Sequence, residues 1–239
     1  MNQILDQDQS FSRELSRDFF KSVYSYMFGA LAVSGIIAYM AGTPEFMLKY
    51  FYSETAAGGL SPTPLYYIIA FAPVGLGLLI QMAYRRLSMG VLMLAFLAYA
   101  ALMGLSLSVI LVIYAPQAVA ITFFITAGAF GAMAFIGYTT KTDLTKMGSL
   151  LYMAFIGIFI AGIANWFIGS EMIDYIISII GVFVFTGLTA YYMQKLKGAS
   201  QDVSLSGIER NKLALVGGLI LYIMFINLFL SLLRLLGND

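Results

Sequence analysis

Seven stretches of this chain are each long and apolar enough to cross a lipid bilayer, and none carries an ionisable side chain deep inside it. They run approximately over 22–41, 64–84, 88–113, 117–138, 149–168, 173–193 and 212–236. A helix rises 1.5 Å per residue, so about 20 residues cover the roughly 30 Å hydrocarbon core. Water offers no alternative fold. Apolar residues make up 61% of the chain and charged residues 10%, against about 45–50% and 25% in soluble domains. The sequence therefore predicts an all-α polytopic membrane protein, a bundle of about seven transmembrane helices. A polar N-terminal segment, 1–20, precedes a single transmembrane domain over 21–239.

The breaks between spans carry turn chemistry: Thr43-Pro44, Ser61-Pro62-Thr63-Pro64, Arg85-Arg86, Ala115-Pro116, Lys141-Thr142-Asp143 and Gly169-Ser170-Glu171. Residues 195–211 read as the one extended polar loop besides 42–62. Threading these spans alternately puts eleven Lys and Arg on one side, with Lys49 and Arg234 alone on the other. Cytoplasmic loops hold the excess of Lys and Arg, so a multi-pass protein of a bacterial inner (plasma) membrane with a cytoplasmic N-terminus is expected. The first 20 residues lack the basic start and short apolar core of a secretory signal. A seventh span that only dips into the membrane would return the C-terminus to the cytoplasm, and Arg234 would suit that alternative. Small residues at close intervals, Gly128 with Gly131 and Ala132, Gly157 with Ala161, and Gly217 with Gly218, are expected to pack helices within the bundle. Pro73 is expected to kink the second span.

What is missing narrows the function. The chain has no histidine and no cysteine, which removes the commonest general base, the usual pH switch and thiol chemistry. A zinc site would need carboxylates alone, and no cofactor is implied. The net charge of +1 gives no basis for nucleic-acid binding. None of the twelve acids lies deep in a span, which argues against a proton-coupled pump or a voltage sensor. Ser-His and paired-aspartate intramembrane proteases lack their residues, and Lys212 stands at the entrance of its span rather than where a retinal Schiff base would form. No enzymatic activity is expected.

The polar groups inside the spans are uncharged: Gln81, Asn165, Thr186, Thr189, Tyr191, Tyr192, Tyr222, Asn227 and Ser231. Thr186 and Thr189 share a face of the sixth helix, and Asn227 and Ser231 one of the seventh. Two readings remain open: hydrogen bonding between helices, or the lining of a polar cavity. Asp143 lies in the dense polar run Tyr138–Leu144. It reads either as a functional loop residue or as a cap for the fifth span.

Four segments resemble motifs of the bacterial branch of the transmembrane Bax inhibitor motif family. They are Gly137-Tyr-Thr-Thr-Lys-Thr-Asp-Leu-Thr-Lys-Met-Gly148 with Thr126–Gly131 before it, Val184–Tyr191 with Gln194-Lys195 after it, and Phe225–Arg234. The resemblance spans residues 20–236 and implies a seven-helix bundle with the last helix central. It also implies a pH-gated calcium leak, in which two buried aspartates on the sixth and seventh helices share a proton. Here the sequence departs. The family's Ala-Tyr-Asp-Thr-Gln-Lys appears as Ala190-Tyr191-Tyr192-Met193-Gln194-Lys195, and its Leu-Tyr-Leu-Asp-Phe-Ile-Asn as Leu221-Tyr222-Ile223-Met224-Phe225-Ile226-Asn227. Both sensor aspartates are replaced, at Tyr192 and Met224. A phenol with a reference pKa of about 10 and a thioether do not titrate near neutrality.

The expected cavity or gate comprises Thr186, Thr189, Tyr192, Met224 and Asn227. It offers neutral oxygens and a sulfur, whereas calcium takes about six to eight oxygens, usually including carboxylates. Calcium or another small cation would be held weakly, and no metal site is expected. The resemblance thus implies a calcium-leak scaffold without its di-aspartyl pH sensor. The alternative is a non-transporting protein that modulates a membrane-bound ATP-dependent protease, with residues 1–20 as the handle. Transport of a small organic solute ranks last, because no pair of interrupted helices marks an inverted repeat.

Overall fold

The computed structural model describes residues 2–54, 59–202 and 204–237. The chain runs through α1 (Asn2–Ala41), a one-turn α2 (Pro44–Phe46), a π-helical turn (Met47–Phe51), the strands β1 (Tyr52–Glu54) and β2 (Leu60–Pro62), and then α3 (Pro64–Ala83). Helices α4 (Met89–Ile113), α5 (Pro116–Thr139), α6 (Thr145–Ile168), α7 (Glu171–Ser200) and α8 (Gly207–Leu236) follow. Seven of these helices are long and apolar enough to cross a membrane. The protein is an all-α polytopic membrane protein, and the spans agree with the hydropathy reading to within a few residues at most ends.

The largest differences lie where helices outrun their apolar stretches. Helix α1 begins at Asn2 and continues unbroken into the first span. Helix α7 runs on to Ser200 and α8 starts at Gly207, so the expected loop over 195–211 shrinks to 201–206. Hydropathy ends a span where charge begins, but a helix ends where its backbone is capped. Ser206 and Glu209 form that cap for α8. The Ser206 N–H donates to Glu209 Oε2 (3.0 Å), and the Glu209 N–H to Ser206 Oγ (3.3 Å). Helix α3 runs through Pro73 without interruption.

The chain forms two compact units. One comprises α1 up to Asp18, helices α5 to α7, and α8 from Ile220 onward. Within it α5 and α6 both pack on α7. The other comprises Phe19–Ala115 and the start of α8, Leu205–Leu219. There α3 packs on α4, with Ser106 Oγ donating to the Ile69 carbonyl (2.8 Å). Gly104 lies so close to α1 that a Cβ would stand 2.7 Å from the Ser34 carbonyl. Gly218 stands equally close to the Val23 carbonyl.

These contacts correct the expectation about small residues. Gly218 packs as expected, but Gly128, Gly131 and Gly157 have nothing within 4 Å of where a side chain would begin. In lipid both faces of a helix are apolar, so a small-residue pattern does not say which face turns inward.

Helix α8 is long and apolar enough to cross a membrane. Its 30 residues span about 45 Å, and its far end meets the start of α7. Arg234 Nη1 lies 3.8 Å from Asp174 Oδ1, and a Cβ on Gly181 would stand 2.5 Å from Ser231 Oγ. Arg234 is thus accounted for at the end opposite the 201–206 loop. Of the seven spans α8 is the most enclosed and α6 the least.

Candidate functional site

Helix α7 carries the first half of the site, and its ends are fixed by local chemistry. Gly169 closes α6 in the left-handed conformation (φ 70°). Ser170 then caps α7 by accepting the Ile173 N–H (3.4 Å), and Glu171 and Asp174 occupy the first turn, where the helix dipole favours negative charge. Asn165, buried at the end of α6, ties this turn together. Its Nδ2 donates to the Ser170 carbonyl (3.0 Å) and to Asp174 Oδ1 (3.3 Å), and its Oδ1 accepts the Ser170 N–H (3.1 Å). From there the buried face of α7 runs through Ile177, Gly181, Val184, Leu188, Tyr192 and Leu196 at helical spacing.

At the other end of α7, two motifs recognised separately in the sequence become one site. The run Gly137–Gly148 closes as a collar around residues 190–197. Gly137 touches the Ala190 backbone so closely that any side chain there would collide with its carbonyl. Gly148 faces the Tyr191 ring, where a Cβ would stand 2.5 Å from the ring carbons. Between the two glycines Gln194 grips the turn twice: its Oε1 accepts the Leu144 N–H (2.9 Å), and its Nε2 donates to the Thr142 carbonyl (2.7 Å). Lys197 donates to the Tyr138 carbonyl (2.8 Å), with its ammonium 5.0 Å from the Tyr138 ring centre. The motif spacing hinted at this collar, because both glycines and the glutamine lie in the recognised segments. What the sequence withheld was which residue meets which.

Asp143 sits in this collar on the solvent side. Its Oδ1 accepts the N–H (2.9 Å) and the hydroxyl (2.6 Å) of Thr145, the first residue of α6. Those two donors hold its carboxyl below the usual carboxylate range. It caps α6 from one residue before the N-cap position, which Leu144 occupies.

The expected gate residues fall into two groups. Tyr192 is buried beside the collar. Its ring packs edge-on against Tyr191 (5.3 Å between centres), and the Lys195 ammonium lies 5.8 Å from its ring centre. Thr189 is buried one turn earlier and Thr186 half-buried. On α8, Met224 is buried. Its neighbour Phe225 is clasped by Phe123 (5.4 Å) and Phe130 (5.5 Å) of α5. Asn227 lies half-buried on a more open stripe with Ile223 and Leu230.

Of the two open readings, bonding between helices holds for Asn165, whose amide reaches Asp174 of α7, but not for these groups. Thr186 donates to the Val182 carbonyl (2.6 Å), Thr189 to that of Phe185 (2.7 Å), Asn227 to that of Ile223 (2.8 Å), and Ser231 to that of Asn227 (2.8 Å). Each donor is bonded to the carbonyl four residues back on its own helix. A lone hydroxyl in an apolar span finds that carbonyl before it finds a neighbour. Among the described residues, no three acids gather where they could hold a metal ion.

Sequence missed one tie. Ser16 and Ser200, both buried, are hydrogen-bonded at 2.8 Å, which fixes the early part of α1 to the end of α7. A separation of 184 residues left no local signal for it.

Residues 16–239 match the family described as Inhibitor of apoptosis-promoting Bax1. The chain is 39% identical over 218 residues to the inner membrane protein YbhL of Escherichia coli, which covers 90% of this chain and 89% of that one. It is 37% identical to a protein of Rickettsia prowazekii, over 97% of this chain and 93% of the relative. A membrane protein of Streptococcus pyogenes is 35% identical over 92% and 93%.

Proposed function

The chain belongs to the family of inhibitors of apoptosis-promoting Bax1, and from that premise we propose that it is a slow small-cation leak without a proton switch. It would sit in the bacterial inner membrane with its N-terminus in the cytoplasm, conducting passively rather than catalysing a reaction. Calcium is the first candidate. The observation that carries this reading is the pair Tyr192 and Met224. Both are buried, and both are neutral where the family resemblance implies two aspartates. Such a pair leaves nothing to titrate near neutral pH. The other oxygens of the expected gate, of Thr186, Thr189 and Asn227, are neutral as well, so a cation would be held weakly and pass without a deep well.

Calcium flux into liposomes holding the purified protein, from about pH 5.5 to 8.5, tests this directly. Flux that varies less than about twofold across that range supports a leak without a sensor. An inert parent beside a pH-dependent Tyr192→Asp/Met224→Asp variant would sink the proposal.

One observation favours a second reading, a non-transporting protein that modulates a membrane-bound ATP-dependent protease. Helix α1 has 40 residues, about 60 Å, and so extends well past its apolar stretch. Because Ser16 is tied to Ser200, the clean truncation removes residues 2–13 and spares that bond. Association with such a protease that depends on residues 2–13, in a protein without flux, would favour this reading.

A further inference from the structure

The connection between α1 and α3 reads in the sequence as a loop, yet it is a folded piece with its own core. Met47 and Phe51 of the π-helical turn are buried against Ile69 of α3, with Leu105 and Val109 of α4 packed on the same cluster. These partners fix the depth of the turn. Val109 and Leu105 lie four and eight residues before the end of α4 at Ile113, about 6 and 12 Å down the helix. Ile69 lies five residues into α3, about 7 Å from its start. Hydrogen bonds place its carbonyls at the start of α3: the Thr63 N–H donates to the Phe51 carbonyl (2.8 Å), and Thr63 Oγ1 to the Tyr50 carbonyl (2.9 Å). Thr63 is the N-cap of α3. The turn therefore sits at the very end of a membrane span, with the Met47 and Phe51 side chains reaching beside its first turns.

Its outward face carries apolar side chains and one acid, Glu54, which pairs directly with Leu60 in the hairpin and is exposed. Leu48 is 52% exposed and Leu60, on β2, 58% exposed. Tyr50 is exposed beside them, and the Lys49 ammonium lies 5.1 Å from its ring centre. At the same level Leu65, Tyr67 and Ile68 of α3 are also exposed. Backbone at this depth must find its own partners, and it does. The Met47 N–H bonds to the Thr43 carbonyl (3.1 Å), the Tyr52 N–H to the Met47 carbonyl, and β1 pairs with β2.

We propose that this connector is an interfacial wedge: its outward face lies in the lipid leaflet at the end of α1, with Leu48 and Leu60 at the headgroup end of the acyl region and the Glu54 carboxylate among the headgroups. Tyr50 then occupies the headgroup level, where tyrosine is enriched. Lys49 reaches from the same turn to the lipid phosphates, its stem along the apolar surface. The wedge is independent of any transport activity.

The test uses tryptophan as a depth gauge. Trp166 is the only tryptophan of the chain, so Trp166→Phe gives a silent background. Leu48→Trp and Leu60→Trp are then introduced separately, at outward positions that leave the Met47–Phe51–Ile69 core untouched. Each is reconstituted in phosphatidylcholine vesicles with and without lipids brominated near the headgroup end of the acyl chain. Strong quenching by the brominated lipid is expected at both positions. Iodide in the buffer should quench them at least about threefold less than free N-acetyltryptophanamide. Iodide quenching close to that of the free amide, or no response to brominated lipid, at either position would overturn the wedge.

Discussion

Helices α6 and α8 are both long and apolar enough to cross a membrane. In the structure they are opposites. Helix α8 is buried almost all round, with Leu215, Leu219, Leu221, Tyr222 and Leu228 sealed from the outside. Helix α6 leaves Leu150, Met153, Ile160, Phe167 and Ile168 largely exposed. In water an exposed row of leucine and phenylalanine would force association or collapse. In a bilayer it costs nothing, because lipid tails are as apolar as leucine. Apolarity thus places both helices in the membrane but does not rank them within the fold. That ranking comes from tight packing: α8 meets α7 through Gly181 and Ser231, and α5 through the Phe123, Phe130 and Phe225 rings. Helix α6 is held mainly along α7, by Gly148 under Tyr191 and Leu151 over Gly187.

The comparison is most easily broken by emptying the core of α8. Leu221→Ala and Leu228→Ala each remove a side chain with no exposed surface, and each should cost roughly 2–5 kcal/mol, as cavity-forming changes do. Reversible unfolding in mixed micelles, followed by circular dichroism, gives the number. Losses below about 0.5 kcal/mol at both sites would show that α8 is not packed as described. A smaller effect sharpens the α7–α8 contact. Gly181→Ala places a methyl 2.5 Å from Ser231 Oγ and should cost about 1–3 kcal/mol. Ser231→Ala removes that oxygen, leaving its Cβ 3.3 Å away. In that background the same glycine change should cost clearly less. Equal costs in both backgrounds would mean that the two residues do not meet.

What could be read in the sequence follows the same division. The spans were legible because about 20 apolar residues without charge have one use. The breaks at Thr43-Pro44, Thr63-Pro64 and Ala115-Pro116 were legible as breaks; that each proline opens a helix, since proline fits the first turn, is what the structure adds. The inward faces were not legible, because in lipid they carry no polarity contrast, and so Gly128, Gly131 and Gly157 were assigned to packing that they do not make. In the candidate site, Tyr192 and Met224 were plain as the residues that stand where the resemblance implies two acids. The partners of the polar groups were not. Thr189 and Asn227 are bonded along their own helices, and a sequence does not distinguish a hydroxyl turned to its own backbone from one turned to a neighbour. Gln194 is the reverse case: it was visible as a motif residue, but its two-handed grip on Thr142 and Leu144 needed the fold.

The smallest predicted effect lies on α6 and carries the sharpest contrast. Leu150→Ala and Ile160→Ala shorten side chains that are largely exposed, so they leave no cavity and remove few contacts within the chain. Each should change stability by less than about 0.5 kcal/mol in the assay that detects several kcal/mol on α8. The chemistry of the change is the same, leucine or isoleucine to alanine in an apolar helix, so only the surroundings differ. A large loss at Leu150 or Ile160 would mean that something other than lipid covers this face, and that α6 is a contact helix after all. A small loss there beside a large one at Leu228 would establish that stability in this protein is held by helix contacts, with apolarity alone adding little once the chain is in the membrane.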